Sequence, residues 1–294
     1  MTAVTALAPA KVNLYLHVTG RRTDGYHLVE GLVAFADIGD RLTIAPAPDL
    51  SLEIAGPEAT GLAGTAADNL VLRAARLLAD HARITAGAAL RLEKNLPVAA
   101  GIGGGSSDAA AALHALRRMW RVAIDDKTLF ELGARIGADV PACLYGRPAW
   151  VRGVGERLDP AGELPPAGIL LANPRKPLAT AAVFARRRGP FSDDDDRSKP
   201  MPRDASGLAE LLVLRRNDLT EAAIELVPEI GDVLARLRAL PGVLLARMSG
   251  SGATCFALFH DRAAAEQARR TVAAAEPEWW CAAAGFVAAA THTR

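Results

Sequence analysis

The stretch 97-PVAAGIGGGSSDAAAALHAL-116 holds four glycines within five residues, Gly101, Gly103, Gly104 and Gly105, followed by two serines and an alanine run. Glycine lets a backbone take positive φ and come close to a ligand. The serines then open a helix whose first amides have no partner inside it. Those amides, with the positive end of the helix dipole, suit a phosphate. A plain strand-to-helix turn needs less glycine than this. Pro97, Val98, Ala99, Ala100, Gly101, Ile102, Gly103, Gly104, Gly105, Ser106 and Ser107 are therefore read as a phosphate cradle.

The common phosphate loops do not fit. A P-loop needs Gly-Lys-Ser/Thr, and here Gly105 is followed by Ser106. A dinucleotide fingerprint would begin Gly101-Ile102-Gly103, but its third glycine position is Ser106, which speaks against a nicotinamide oxidoreductase. A protein kinase would carry its glycine loop near the start and a later His-Arg-Asp, which is absent.

The rest of the chain bounds the answer. Its 294 residues suit two domains. A net charge of +1 sets up no field for nucleic acid or an anionic membrane. No segment approaches the roughly 20 unbroken apolar residues of a membrane helix, and the first residues lack the basic start of a signal peptide. Cys143, Cys255 and Cys281 are too few and too scattered for a disulfide framework, so a reducing, cytoplasmic setting is expected. No histidines or cysteines stand at metal spacing, so no protein metal site is expected.

Periodicity predicts strands at Val12–Val18, one or two across 32–46, and at 51–55 and 88–96. It predicts helices over 68–82, with Leu70, Ala74, Leu77 and Leu78 on one face and Asp68 or Asn69 as cap, and over Asp108–Trp120. A helix from Asp126 is expected to stop between Gly133 and Gly137. The stretch 186-RRRGPFSDDDDRSKPMPRDAS-206 offers nothing for a core and reads as a mobile surface loop. Helices over 207–214, 218–227, 230–240 and 262–275 follow, with a strand pair interrupted by 249-SGSG-252 and a last strand at 280–287. Strands and helices mix without a regular βαβ beat, which argues α+β.

Three blocks resemble the signatures of the GHMP small-molecule kinase superfamily: 9-PAKVNLYLHVTGRRTDGYH-27, 97-PVAAGIGGGSSDAAA-111 and 247-RMSGSGATCFALF-259. They are ordered and spaced as in that family, and the resemblance spans residues 8 to about 290. It implies a two-domain fold. Residues 1–157 would form the N-terminal domain, like that of a small-subunit ribosomal protein, which binds ATP. Residues 158–294 would form a C-terminal α/β sandwich completing the substrate cleft. GRRTDGYH with 137-GADVP-141 is similar to the branch that phosphorylates a cytidine diphosphate-linked methylerythritol.

That resemblance implies roles. Asp139 would accept the proton of the acceptor hydroxyl, or orient it. Lys11 would keep Asp139 ionised and steady the moving phosphoryl group. On pattern alone, Asp139 reads equally as a turn or cap residue and Lys11 as an edge residue. Tyr26 would stack on cytosine and His27 hydrogen-bond it, with Thr180 and Phe184 lining the same pocket and Asn13 touching substrate. Gly250, Ser251 and Gly252 would pack beside the phosphate loop and the substrate. Asn69 and Lys94 would lie near the adenine. Mg2+ should accompany ATP, with Ser106 or Ser107 offering a hydroxyl. The partners implied are small molecules, and nothing marks an obligate protein partner. Two rival readings stand beside this one: a superfamily kinase for homoserine, mevalonate or a sugar, and a non-catalytic metabolite sensor on the same fold.

Overall fold

The computed structural model describes residues 3–60, 62, 68–193, 195, 197 and 200–287. Its contacts divide the chain into two compact units. One holds the chain up to Ala10, Ile38–Val98 and Gly103–Tyr145; the other holds Lys11–Asp37, Ala99–Ile102 and Gly146 onward.

The first unit is built on β4 (Gly87–Glu93). The second half of β2 (His27–Ala47) runs antiparallel to it and β3 (Leu50–Ala55) runs parallel. Four helices complete this unit: α1 (Leu70–Ala82), α2 (Gly104–Met119), α3 (Asp126–Ile136) and α4 (Val140–Tyr145). α2 packs on α1, α3 and α4. Ala109, Ala110, Ala111, Ala112 and Ala115 are all buried, so small side chains on most of the α2 surface let neighbours approach closely. α1 buries Val71, Ala74, Ala75 and Leu78; Leu77, expected on that face, is only half-buried.

The second unit has a four-stranded antiparallel sheet in the order β10-β7-β9-β8. These are β7 (Gly168–Asn173), β8 (Leu245–Met248), β9 (Cys255–Phe259) and β10 (Trp280–Gly285). α9 (Arg262–Ala275) packs on β7 and β10, and α8 (Glu229–Arg238) packs on β8 and β9. Leu170, Phe259, Val233, Leu237 and Val272 close the core between sheet and helices. α5 (Thr180–Arg186), α6 (Ala205–Val213) and α7 (Thr220–Leu226) complete this unit. The hairpin of β5 (Ala149–Arg152) and β6 (Arg157–Pro160) joins the first half of β2 through β5.

β1 (Val4–Arg21) extends well beyond the expected Val12–Val18 and pairs with β2. β2 is a single 21-residue strand where one or two shorter ones are expected. Along β1 the polar side chains Lys11, Asn13, Tyr15 and His17 alternate with Val12, Leu14 and Leu16, so they share one face. All four are buried.

Part of the stretch 186–206 departs from the solvated loop its composition suggests. Ser192, Asp195 and Arg197 are strapped to β1 and β2, while Arg188, Gly189 and Asp193 stay exposed. Asp195 accepts a hydrogen bond from the fully buried Tyr15 hydroxyl at 2.8 Å and pairs with Arg215 at 2.8 Å. The Asp195 amide donates to Glu30, which pairs with Arg197, and the Ser192 amide donates to the Val18 carbonyl. Asp195 and Arg197 thereby join Arg215 and Glu30 in a paired network. Asp195→Ala strands the Tyr15 hydroxyl in the interior. The expected cost is about 2 kcal/mol of unfolding free energy, read by urea denaturation; a loss below about 0.5 kcal/mol contradicts the strap.

Candidate active site

α2 begins at Gly104, four residues earlier than its alanine propensity indicates, and Gly103 is its N-cap at φ 62°. The glycines are therefore both loop and first helical turn. The first bond of that turn is from the Ser107 amide to the Gly103 carbonyl, 2.8 Å. The amides of Gly104, Gly105 and Ser106 precede it and have no acceptor within the helix. With the helix dipole they form an anion-binding end. Ahead of them the backbone turns through positive φ at Ala99 (52°) and Gly101 (72°). A non-glycine residue held there carries strain that surrounding structure must sustain.

A buried ion cluster lies against the start of α2. The Lys94 ammonium reaches Asp40 and, at 2.7 Å, Asp108. Asp40 also accepts the amides of Asn95 (2.6 Å) and Leu96 (2.9 Å), which fixes the corner leading from β4 into the loop. A Cβ on Gly104 would meet the Lys94 ammonium at 3.6 Å, an ordinary contact, so the start of α2 lies against the cluster. Burial pushes Asp108 up to about 7; Lys94 pulls it down and Asp40 pushes it up. One Asp108 oxygen is buried without a hydrogen-bond partner. Burial lowers Lys94, but Asp108 and Asp40 more than reverse this, so the ammonium stays charged. Ser107 donates to the Pro9 carbonyl at 2.7 Å and ties the helix start to β1.

The same unit holds three other expected site residues. Asn69 caps α1, accepting from the Val71 amide at 2.9 Å. The Lys94 ammonium is committed to the ion cluster, so contact with a base is left to its backbone and stem. Asp139 is half-buried in the turn between α3 and α4, and its carbonyl accepts the Cys143 amide at 3.1 Å. α3 does not stop at Gly133. That glycine packs where a Cβ would lie 2.6 Å from Leu144, which lets α4 fold back and present the turn. Pro141 sits in the first turn of α4, where its missing N–H costs nothing.

In the second unit the small-residue turn 249–252 clasps the loop segment 99–102. The Ser249 hydroxyl donates to the Gly101 carbonyl at 3.0 Å and accepts the Asn13 amide at 3.0 Å. The Thr254 amide donates to the Ala100 carbonyl, and the Lys11 amide to the Ile102 carbonyl. A Cβ on Gly101 would lie 2.5 Å from the Gly252 carbonyl, and one on Gly250 would lie 2.9 Å from the Gly101 carbonyl. Glycine is required on both sides of this contact. Lys11 is only 4 % exposed, which is not the edge residue its pattern allows.

His27 stacks on Phe184, ring centroids 5.1 Å apart and 25° between planes. Burial, then the charges of Arg21 and Arg187, lower the His27 pKa, so its ring is neutral near pH 7. Tyr26, 64 % exposed, leaves the β1–β2 turn with no ring partner among the described residues. That turn is fixed by Gly25 at φ 93° and by the Arg22 amide donating to the Tyr26 carbonyl. Thr180 and Ser251 share a hydrogen bond of 2.8 Å. α5, unforeseen in the sequence, brings Thr180 and Phe184 to these partners. Sequence reasoning also missed Asp40, Asp108, Tyr15 and Asp195. Asp108 had a signal, one helical turn beyond Gly104; the others reach partners far away in the chain.

Among the described residues no helix is long and apolar enough to cross a membrane. The model for the GHMP kinases N terminal domain matches residues 69–147, and that for the GHMP kinases C terminal matches 201–278. The chain is 56 % identical to the 4-diphosphocytidyl-2-C-methyl-D-erythritol kinase of Paramagnetospirillum magneticum, over 97 % of this chain and 99 % of that one. It is 48 % identical to the kinase of the same name from Rhodospirillum rubrum, over 96 % and 92 %. A crystal structure of 4-(cytidine 5'-diphospho)-2C-methyl-D-erythritol kinase superposes with TM-score 0.77 at 36 % identity, covering 96 % of this chain and 99 % of that one. Homoserine kinase from Cytophaga hutchinsonii shares the fold at TM-score 0.69 and 17 % identity, covering 98 % and 95 %. With matches running nearly end to end and the glycine loop, 249–252 turn and Tyr26-His27 pair in place, the chain belongs to the 4-diphosphocytidyl-2-C-methyl-D-erythritol kinases of the GHMP family.

Proposed function

We propose that Lys11 and Asp139 carry the transfer of the γ-phosphoryl group from ATP to the 2-hydroxyl of 4-diphosphocytidyl-2-C-methyl-D-erythritol, giving the 2-phosphate and ADP. The reaction belongs to the non-mevalonate route to isoprenoid precursors. One observation carries the choice of acceptor: the neutral His27 stacked on Phe184 with the Tyr26 ring open beside it in sequence. An acceptor without a nucleobase gives that aromatic arrangement nothing to read. The family models match 69–147 and 201–278, which supports the division of the chain near residue 157.

Phosphoryl transfer is mostly positioning and charge stabilisation. The free amides of Gly104, Gly105 and Ser106 hold phosphate oxygens. The acceptor oxygen attacks the γ-phosphorus, its proton passes to the Asp139 carboxylate, and the bond to ADP breaks. The Lys11 ammonium offsets charge on the transferring group. Mg2+, when bound with ATP, neutralises phosphate charge. The donor set suits that ion. Mg2+ keeps most of its waters and leans on phosphates, needing one or two protein oxygens. Ser106 has a hydroxyl with no hydrogen bond among the described residues, whereas the Ser107 hydroxyl is occupied by Pro9. Ser106 is the residue that would hold it. Asn13, Thr180 and Gly250–Gly252 bound the acceptor, and Asn69 and the Lys94 backbone bound the adenine.

Phe184→Ala tests the pocket. The KM for the cytidyl acceptor rises about 30-fold, the worth of one lost stacking partner near 2 kcal/mol, while the KM for ATP holds. A fall in kcat with unchanged acceptor KM contradicts the assignment. The pH profile tests His27. Its folded pKa is depressed, so the neutral ring prevails above about 6.5 and acceptor affinity is flat there. As pH falls through the depressed value the ring gains a proton and loses its acceptor nitrogen, and the acceptor KM rises. His27→Gln should abolish that acid limb.

A further inference from the structure

A second basic cavity lies wholly within the second unit. It has a volume of 490 Å³ and includes none of the residues assigned above to phosphoryl transfer. Five guanidiniums line it: Arg187, Arg188, Arg216, Arg238 and Arg247. Two carboxylates face them, Asp218 and Glu221.

The arginines differ in how their charge is met. Arg216 pairs with Asp218 at 2.6 Å. Arg247 is 9 % exposed, and its hydrogen-bond partners among the described residues are carbonyls: Leu14 and Leu212 at 2.8 Å and Arg215 at 2.7 Å. Those carbonyls satisfy its N–H groups but leave a full positive charge at the cavity wall. Arg187 donates to the Gly189 and Pro190 carbonyls and lies 5.1 Å from the Phe191 ring centroid, again with no carboxylate. Its Nε is buried with no acceptor. Arg188 and Arg238 make no hydrogen bond or ion pair among the described residues. Glu221 likewise pairs with nothing there.

Arg188, Arg216 and Arg238 are exposed, so water meets part of their charge, whereas Arg247 holds its charge in the buried wall without a carboxylate. Guanidinium forks match the paired oxygens of phosphate and of carboxylate, and several round one cavity suit the higher charge of a phosphate. Leu234, Ala246 and Met248 give the same cavity an apolar wall. Its volume is that of a small-metabolite pocket. We propose that this cavity binds a small phosphorylated metabolite, its phosphate on Arg188 and Arg238 and its carbon body on Leu234 and Met248. The site is separate from the phosphate loop at Gly101–Ser107.

Calorimetric titration of the full chain with inorganic pyrophosphate tests this. Wild type should bind it, and R188A/R238A should bind it about tenfold more weakly or worse, the loss expected when charge-assisted hydrogen bonds go. Turnover and the KM for ATP should be unchanged in that variant. Glu221→Gln removes the unpaired carboxylate from the wall and should tighten binding; this arm stands even if the double variant fails to fold. Equal binding by wild type and R188A/R238A would mean that pyrophosphate reads only the phosphate loop, and would overturn the proposal. No binding by wild type at millimolar pyrophosphate, or no change in Glu221→Gln, would overturn it as well.

Discussion

Asp139→Asn lowers kcat about a thousandfold while the KM for ATP and the thermal midpoint stay near wild type. The substitution keeps the shape of the side chain and removes its capacity to take a proton. Two supports of the turn do not involve the carboxylate: the Asp139 carbonyl accepts the Cys143 amide, and Gly133 packs against Leu144. Both remain when the charge is gone. Lys11→Ala should lose activity in parallel, and the double variant should be little worse than either single one, as expected of residues acting as one unit. Turnover of Asp139→Asn within about tenfold of wild type, in a folded sample, rejects Asp139 as the base.

Lys94→Met should destabilise the first unit by about 3–5 kcal/mol, because it leaves two carboxylates facing each other in the interior. Lys94 is 4 % exposed, and both its partners are buried. The loss depends on pH with a definite sign. Asp108 already has its pKa raised to about 7, first by burial and then by Asp40. A carboxyl whose folded pKa is raised holds its proton more tightly folded than unfolded. Its contribution is intact below the unfolded value near 4 and fades as pH rises through the folded value. Without Lys94 that fade steepens, so the urea midpoint of Lys94→Met should fall clearly from about pH 5 to about pH 8. Adding Asp108→Asn should recover part of the loss. A cost below about 1 kcal/mol with no pH trend would mean that the cluster does not hold the start of α2.

How much of this was legible in the chain can be judged from single elements. α9 runs over the expected Arg262–Ala275, because an amphipathic surface helix with Asp261 as its cap carries its own instructions. The phosphate loop was legible because its glycines are needed locally. The start of α2 was not, since glycine has poor helix propensity and only the ion cluster and the Ser107–Pro9 bond explain a helix beginning at Gly104. Asp40 lies 54 residues from Lys94, and no spacing rule joins them. Asp195 and Arg197 misled by composition: their charges look solvated until Tyr15, Glu30 and Arg215 arrive from elsewhere. The polar row of β1 was readable by its period of two, but Tyr15 and His17 looked like ordinary strand residues beside Lys11 and Asn13.

The measurement that bears most directly on the whole account is ADP release from ATP and Mg2+ with 4-diphosphocytidyl-2-C-methyl-D-erythritol, run beside homoserine, mevalonate and galactose. The account predicts turnover with the cytidyl acceptor alone. Turnover with one of the other three would keep the fold and the Lys11–Asp139 assignment and contradict the cytidine pocket at Tyr26, His27 and Phe184. Silence with all four, from a sample that still binds ATP, would contradict the catalytic assignment itself.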